Sequence, residues 1–179
     1  MIQDPAARRY AQAAFELAEE RNSFDEWLED LEGLADAFAD PAVARALASQ
    51  RVAPDRKEAL IRQAAPALRP LPWNLVRLLV RRNRVHLLPQ IAEALRELVD
   101  ERRGIAKAVV TTAVPIDEDD RRRIAARLGE ITGKQVLVET RVDESIMGGL
   151  VARIGDRLID GSTRTKLLAL RAALEGRER

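Results

Sequence analysis

From Asp4 to about Arg103, apolar residues recur three and four positions apart with little interruption. This is the spacing of helices that each bury one face. The first helix has Asp4 as an N-cap and Pro5 at its first position. Arg8, Gln12, Glu16 and Glu19/Glu20 line its polar face. Ala7, Tyr10, Ala11, Ala14, Phe15, Leu17 and Ala18 cover the rest, an arc wide enough to touch two neighbours and small enough for close approach. Ser23, with Glu26 three residues on, predicts a capping box for a second helix, whose stripe is Trp27, Leu28, Leu31, Leu34, Ala35 and Phe38. Asp40-Pro41 ends that helix and a short segment, 41–49, follows. Asp55 is read as the cap of the next helix, with Ala59, Leu60, Ile61 and Ala64 inward. "PALRPLP" is a proline-punctuated loop. A helix from about Pro72 to Arg82 presents Leu75, Leu78 and Leu79 on one side. After a break near Asn83, the last helix, from about Leu88 to Arg103, turns Ile91, Leu95, Leu98 and Val99 inward. Five or six short helices joined by short loops make a helical bundle.

The period changes at Gly104. "IAKAVVTTAVPI" alternates and is rich in Val and Thr, predicting a strand over 105–114. "DEDDRRRIAARLGEITG" reads as a helix with Asp117 to Asp120 at its positive end, a stripe of Ile124, Ala125, Leu128 and Ile131, and Gly133 as its stop. "KQVLVETRVD" alternates again. "LVARIG" and "RLID" predict two short strands around a tight turn at Gly155-Asp156, and "STRTKLLALRAAL" a terminal helix capped by Asp160 or Ser162. The fold class is therefore mainly α: a helical bundle over 1–104, followed by a small β-α-β-β-α domain over 105–179.

Composition narrows the function. The chain of 179 residues is 46% apolar, enough for a buried core, and only 3% aromatic. It has no cysteine, which excludes disulfides and Cys-ligated metals, and one histidine, His86, which leaves little for a His-based metal site or a catalytic triad. No secretory signal and no stretch of about 20 apolar residues is visible, so the protein is expected to be soluble, with any membrane link made through a partner. The net charge of +1 conceals an asymmetry: residues 1–40 carry 3 Lys/Arg against 11 Asp/Glu, and residues 41–104 carry 13 against 6. Acidic and basic segments so arranged attract each other or offer opposite faces to partners.

Candidate chemistry is sparse. "MGGLVARIGDRLIDGSTRTKLLAL" holds four glycines, Asp156 and Asp160, yet it fits neither a phosphate-binding loop nor a dinucleotide fingerprint. Asp156 and Asp160 have no third acid nearby to complete a metal site. The run Asp117–Asp120 reads as dipole-complementing helix chemistry. His86 lacks an orienting neighbour and reads as a surface or cap histidine. "RLLVRRNRVH" interleaves arginine with leucine, which suits nucleic acid or, equally, a basic rim around an apolar groove for a partner helix. The residues point to a binding or structural protein, with an Arg-rich nucleic-acid-binding helical domain as the alternative.

Three segments carry a family resemblance over essentially the whole chain: "RRYAQAAFELA", "NLVRLLVRRNRVHLLPQIAEAL" and "MGGLVARIGDRLIDGSTRTKLLAL". In this order and spacing they resemble the delta subunits of bacterial F-type ATP synthases, the family of the oligomycin-sensitivity-conferring protein. The resemblance implies an N-terminal six-helix bundle, a smaller α/β C-terminal domain, and a non-catalytic stator subunit without cofactor, metal or nucleic acid. It implies a groove between the first and fifth helices for the N-terminal helix of an alpha subunit. Tyr10, Ala11, Ala14, Leu75, Leu78 and Leu79 are the expected groove residues. It implies that the C-terminal domain engages the C-termini of the b (or b and b-prime) subunits. The residues expected there, as interface or family motif, are Gly149, Ile154, Gly155, Asp156, Leu158, Asp160, Ser162, Leu167 and Leu170. The implied location is the cytoplasmic face of the bacterial plasma membrane, reached only through the complex.

Overall fold

A computed structural model describes residues 4–38, 40–49, 51–146 and 148–163. The expected terminal helix, with Leu167 and Leu170, lies outside the described residues. The chain is mainly helical with one small sheet, and it forms two compact units, Met1–Val99 and Asp100–Arg179.

The first unit contains α1 (Pro5–Glu20), α2 (Phe24–Ala37), α3 (Pro41–Ala48), α4 (Pro54–Ala64), α5 (Pro70–Arg81), a 3₁₀ turn at Val85–Leu87, and most of α6 (Leu88–Arg102). Asp4 and Asp40 each accept a hydrogen bond from the amide two residues on, at 2.7 Å, and proline follows each of them. The cap therefore fills an orphan amide, and proline sits where no donor is missed. Two cap expectations are corrected. Ser23 is the N-cap of α2 but makes no side-chain cap bond, and Glu26 turns to Arg69, so no capping box forms. Ala53, not Asp55, is the N-cap of α4: Pro54 takes the first position and moves Asp55 into the first turn. The helix expected from Pro72 begins at Pro70, because both prolines are accommodated in its first turn.

The core of this unit runs through Ala7, Ala11, Ala14 and Ala18 on α1, Trp27, Leu31 and Leu34 on α2, Val76 and Leu79 on α5, and Leu88, Ile91, Leu95 and Val99 on α6. On α4 the expected stripe is also corrected. Ile61 and Lys57 are buried, while Ala59, Leu60 and Ala64 face solvent. Lys57 lies one turn from Ile61 on the same face. Its stem is covered and its ammonium donates to Asn83 Oδ1 at 3.2 Å, so the buried charge keeps a polar partner.

The second unit is a four-stranded sheet in the order β2-β1-β3-β4, with β1 Ile105–Thr112, β2 Gln135–Val142, β3 Leu150–Ile154 and β4 Arg157–Asp160. β1 and β2 are parallel and joined through α7 (Glu118–Thr132); β3 runs antiparallel to both β1 and β4. Ala108, Val110, Val136 and Ala152 alternate onto one face and meet Leu128 of α7. Asp117 caps α7, accepting from the Asp120 amide, and Gly133 closes it at φ 68. Ile131, expected in the stripe, is exposed.

Candidate partner-docking groove

α2 packs against both α1 and α5 and forms the floor between them. Tyr10, Ala13, Ala14 and Leu17 of α1 make one wall. Leu71, Asn74, Leu75 and Leu78 of α5 make the other, with Trp27 beneath and Arg9 and Arg84 at the rim. The open groove between them has a volume of about 680 Å³. Leu17 and Leu78 are 40% and 43% exposed, so both groove lips carry leucine presented to solvent.

The alanines of α1 let its neighbours approach closely, because Ala7, Ala11, Ala14 and Ala18 present almost no side chain to the interior. Tyr10, Ala13 and Leu17 then fall on the adjacent arc, Ala13 and Leu17 exposed and Tyr10 half-buried against the edge of the core. α5 divides in the same way: Val76, Leu79 and Val80 turn inward, and Leu71, Leu75 and Leu78 border the groove.

Both walls end in the same way. Asn22 (φ 50) and Asn83 (φ 53) adopt the left-handed conformation. After α1, Asn22 N–H donates to Glu19 O and Ser23 N–H to Ala18 O; after α5, Asn83 N–H donates to Val80 O and Arg84 N–H to Leu79 O. Each is a Schellman closure, which satisfies carbonyls at the helix end. Phe15 and Phe24, with ring centroids 5.2 Å apart, brace the first turn, and Lys57 holds the second through Asn83.

Of the six residues expected to form this groove, Tyr10, Ala14, Leu75 and Leu78 line it. Ala11 and Leu79 do not: both are wholly buried behind the walls. α5 is apolar around much of its circumference, so spacing alone could not tell its core-facing leucine from its groove-facing ones. Leu17, Leu71 and Ala13 were missed as groove residues, although Leu17 was already legible as part of the wide apolar arc.

The charge asymmetry resolves in part into pairs between the acidic and basic segments, and in part into pairs within the basic one. Arg69, ahead of α5, bonds Glu29 at 2.8 Å and Asp30 at 2.9 Å and lies 3.7 Å from Glu26, all on α2. The hydrogen bonds to Glu29 and then Asp30 raise its pKa further. Arg96 of α6 pairs with Glu32 of α2, and Arg77 and Arg81 pair with Glu58. The arginines of the fifth helix are thus partly committed within the fold. His86 is exposed on the 3₁₀ turn.

In the second unit the glycine-rich stretch closes a backbone crossing. Gly161 N–H donates to Leu150 O and Thr163 N–H to Gly148 O, both at 2.9 Å. Gly149 has φ 82, and a Cβ there would lie 2.5 Å from Gly161 O. Only glycine permits that approach. Gly155 (φ 54) and Asp156 form the two-residue turn between Ile154 and Arg157. Asp160 Oδ1 accepts from the amide of the buried Ser162 at 2.8 Å. Ile154 packs against the core under α7, whereas Leu158 is 66% exposed, so these two expected interface residues face opposite sides of the sheet.

Comparison with known proteins gives a consistent picture. Residues 6–174 match the family model described as ATP synthase delta (OSCP) subunit. An ATP synthase subunit delta of Dehalococcoides mccartyi is 41% identical over 92% of this chain and 91% of its own. That of an Anaeromyxobacter species is 38% identical over 98% of this chain and 99% of its own. A chain in the structure of the Toxoplasma gondii mitochondrial ATP synthase hexamer shares the fold. Its TM-score is 0.68 at 24% identity, covering 96% of this chain and 98% of that one.

Proposed function

We propose, from the premise that this chain belongs to the ATP synthase delta (OSCP) subunit family, that it is a non-catalytic stator subunit. In this reading it ties the catalytic head to the peripheral stalk while the rotor turns. The helices α1–α6 serve as the receptor for the N-terminal helix of an alpha subunit, seated between α1 and α5. The C-terminal unit engages the C-termini of the b subunits through a surface that includes Leu158. The protein then reaches the cytoplasmic face of the bacterial plasma membrane only through the complex, and no described helix is long and apolar enough to cross a membrane.

The observation that carries this reading is the groove itself. Two helices hold exposed leucines apart over a tryptophan floor. An amphipathic helix laid there buries its apolar face at i, i+3, i+4 and i+7. Stator duty also requires slow release, and two moderate contacts in one chain supply it by raising the effective concentration of the second once the first has formed.

The test is a titration of the protein with a peptide of the alpha-subunit N-terminus. Leu78→Glu places a charge where the partner's apolar face would cover it. It is expected to weaken binding at least tenfold, since covering an unpaired charge costs more than about 1.4 kcal/mol. Unchanged affinity would remove the groove from the account.

A further inference from the structure

Lys57 is 3% exposed, yet its ammonium meets a single neutral acceptor, Asn83 Oδ1 at 3.2 Å. Among the described residues no carboxylate pairs with it. A buried cation so placed adds little stability, and an apolar side chain of the same length would fill the site as well. What the bond does fix is the place of Asn83 against α4. Asn83 is the left-handed residue of the turn that ends α5. The amides of that turn lead straight back to the wall: Arg82 N–H donates to Leu78 O, Asn83 N–H to Val80 O and Arg84 N–H to Leu79 O. Glu58, next to Lys57, accepts from Arg77 Nε at 3.2 Å and lies 3.8 Å from Arg81, one turn further along α5. The first turns of α4 therefore grip the second half of α5. The head of α5 is held separately, through Arg69 bonded to Glu29 and Asp30 of α2. Because open space separates α1 from α5, the position of the α5 wall follows from what α5 packs against, which is α2 and α4.

We propose that Lys57 is a positioning residue for the groove: through Asn83 it sets the separation of the α5 wall from α1, and so tunes partner affinity without lining the groove. The proposal rests on the docking reading and adds a control that lies behind the wall. Glu58 assists by its two arginine contacts, but these are partly solvated and weaker. A wall already held at its working separation binds without first losing freedom, which is affinity gained by preorganisation. Leu78 and Arg84, the groove residues nearest the turn, are the ones that a loosened Asn83 would displace.

The experiment uses the full chain, the alpha-subunit N-terminal peptide and four variants. Lys57→Met keeps the buried stem and removes the donor. Asn83→Gly keeps the left-handed turn and removes the acceptor. Each is expected to weaken peptide binding about three- to tenfold while the denaturant midpoint stays level or rises. The double variant should bind no worse than the weaker single one, because both remove the same bond. Asn83→Asp offers Lys57 an acceptor again and should retain native affinity. Because the chain has no cysteine, nitroxides at the exposed positions Arg8→Cys and Arg82→Cys report the distance from α1 to the end of α5 without peptide. Lys57→Met should shift or broaden that distribution. Unchanged affinity, an unchanged distribution, additive losses, or a loss that tracks a falling midpoint and is not recovered in Asn83→Asp would overturn the proposal. Leu78→Glu separates the two readings. If it weakens binding while Lys57→Met and Asn83→Gly do not, docking stands and the positioning role falls. If Leu78→Glu leaves binding intact, docking falls, and the nitroxide distance alone decides whether Lys57 sets the separation.

Discussion

Leu78 and Leu79 are neighbours in α5, one 43% exposed at the groove and the other 0% exposed in the core. Substitution should separate them. Leu79→Ala is expected to cost about 2–5 kcal/mol in a denaturant titration, from lost burial and a cavity. Leu78→Glu should leave the midpoint nearly unchanged and act on peptide binding instead. The glycines divide in a similar way. Gly155→Ala meets no neighbouring atom, so it should cost only the left-handed penalty of about 1–2 kcal/mol. Gly149→Ala carries comparable backbone strain and also drives a methyl into Gly161 O, so it should lower stability by clearly more, and thermal melts of the two variants will rank them. The stretch whose glycines fit no phosphate-binding template in the sequence is a backbone crossing with no room for a side chain at Gly149.

At the scale of elements, the loop between β2 and β3 offers a titration test. Hydrogen bonds from the Ser145 hydroxyl, and then from its amide, hold the Asp143 carboxyl below the ordinary 3.8. A depressed carboxylate contributes stability above its unfolded pKa, and that contribution fades as pH falls through the depressed value. Ser145→Ala should move the Asp143 titration, followed by NMR, up toward 3.8 without reaching it, since the amide bond at 2.9 Å remains. The helix start at Asp4 was legible because an N-cap is local chemistry, a carboxylate two residues before the amide it accepts from, whereas Asp40, read only as the end of α2, and Asp117, read only as one of four acids at a helix's positive end, turn out to be caps as well. The capping box expected at Ser23 and the cap expected at Asp55 did not form: Glu26 lies beside Arg69, and Pro54 takes the first position of α4. The stripe of α4 failed because periodicity counts Lys57 as polar, while the fold buries its stem and bonds its ammonium to Asn83.

For the molecule as a whole, the change of period at Gly104 marks a change from helices to sheet, and each compact unit has its own apolar cluster. The acidic start and basic middle of the chain, which nearly cancel each other, meet in ion pairs of α2 with Arg69 and Arg96. The arginines left at the groove rim were not separable in the sequence from those that pair, because partner choice is tertiary. For the same reason, the groove was legible as a type of surface while two of its six expected residues proved to be core. The central claim is mechanical linkage, and reconstitution measures it most directly. Catalytic heads and membranes, both stripped of this protein, are mixed with and without it, and head sedimentation with the membrane and proton-driven ATP synthesis are recorded. The account predicts that both return with the native chain and that Leu78→Glu lowers them. Full rebinding and coupling in its absence, or no recovery when it is added, would contradict the account.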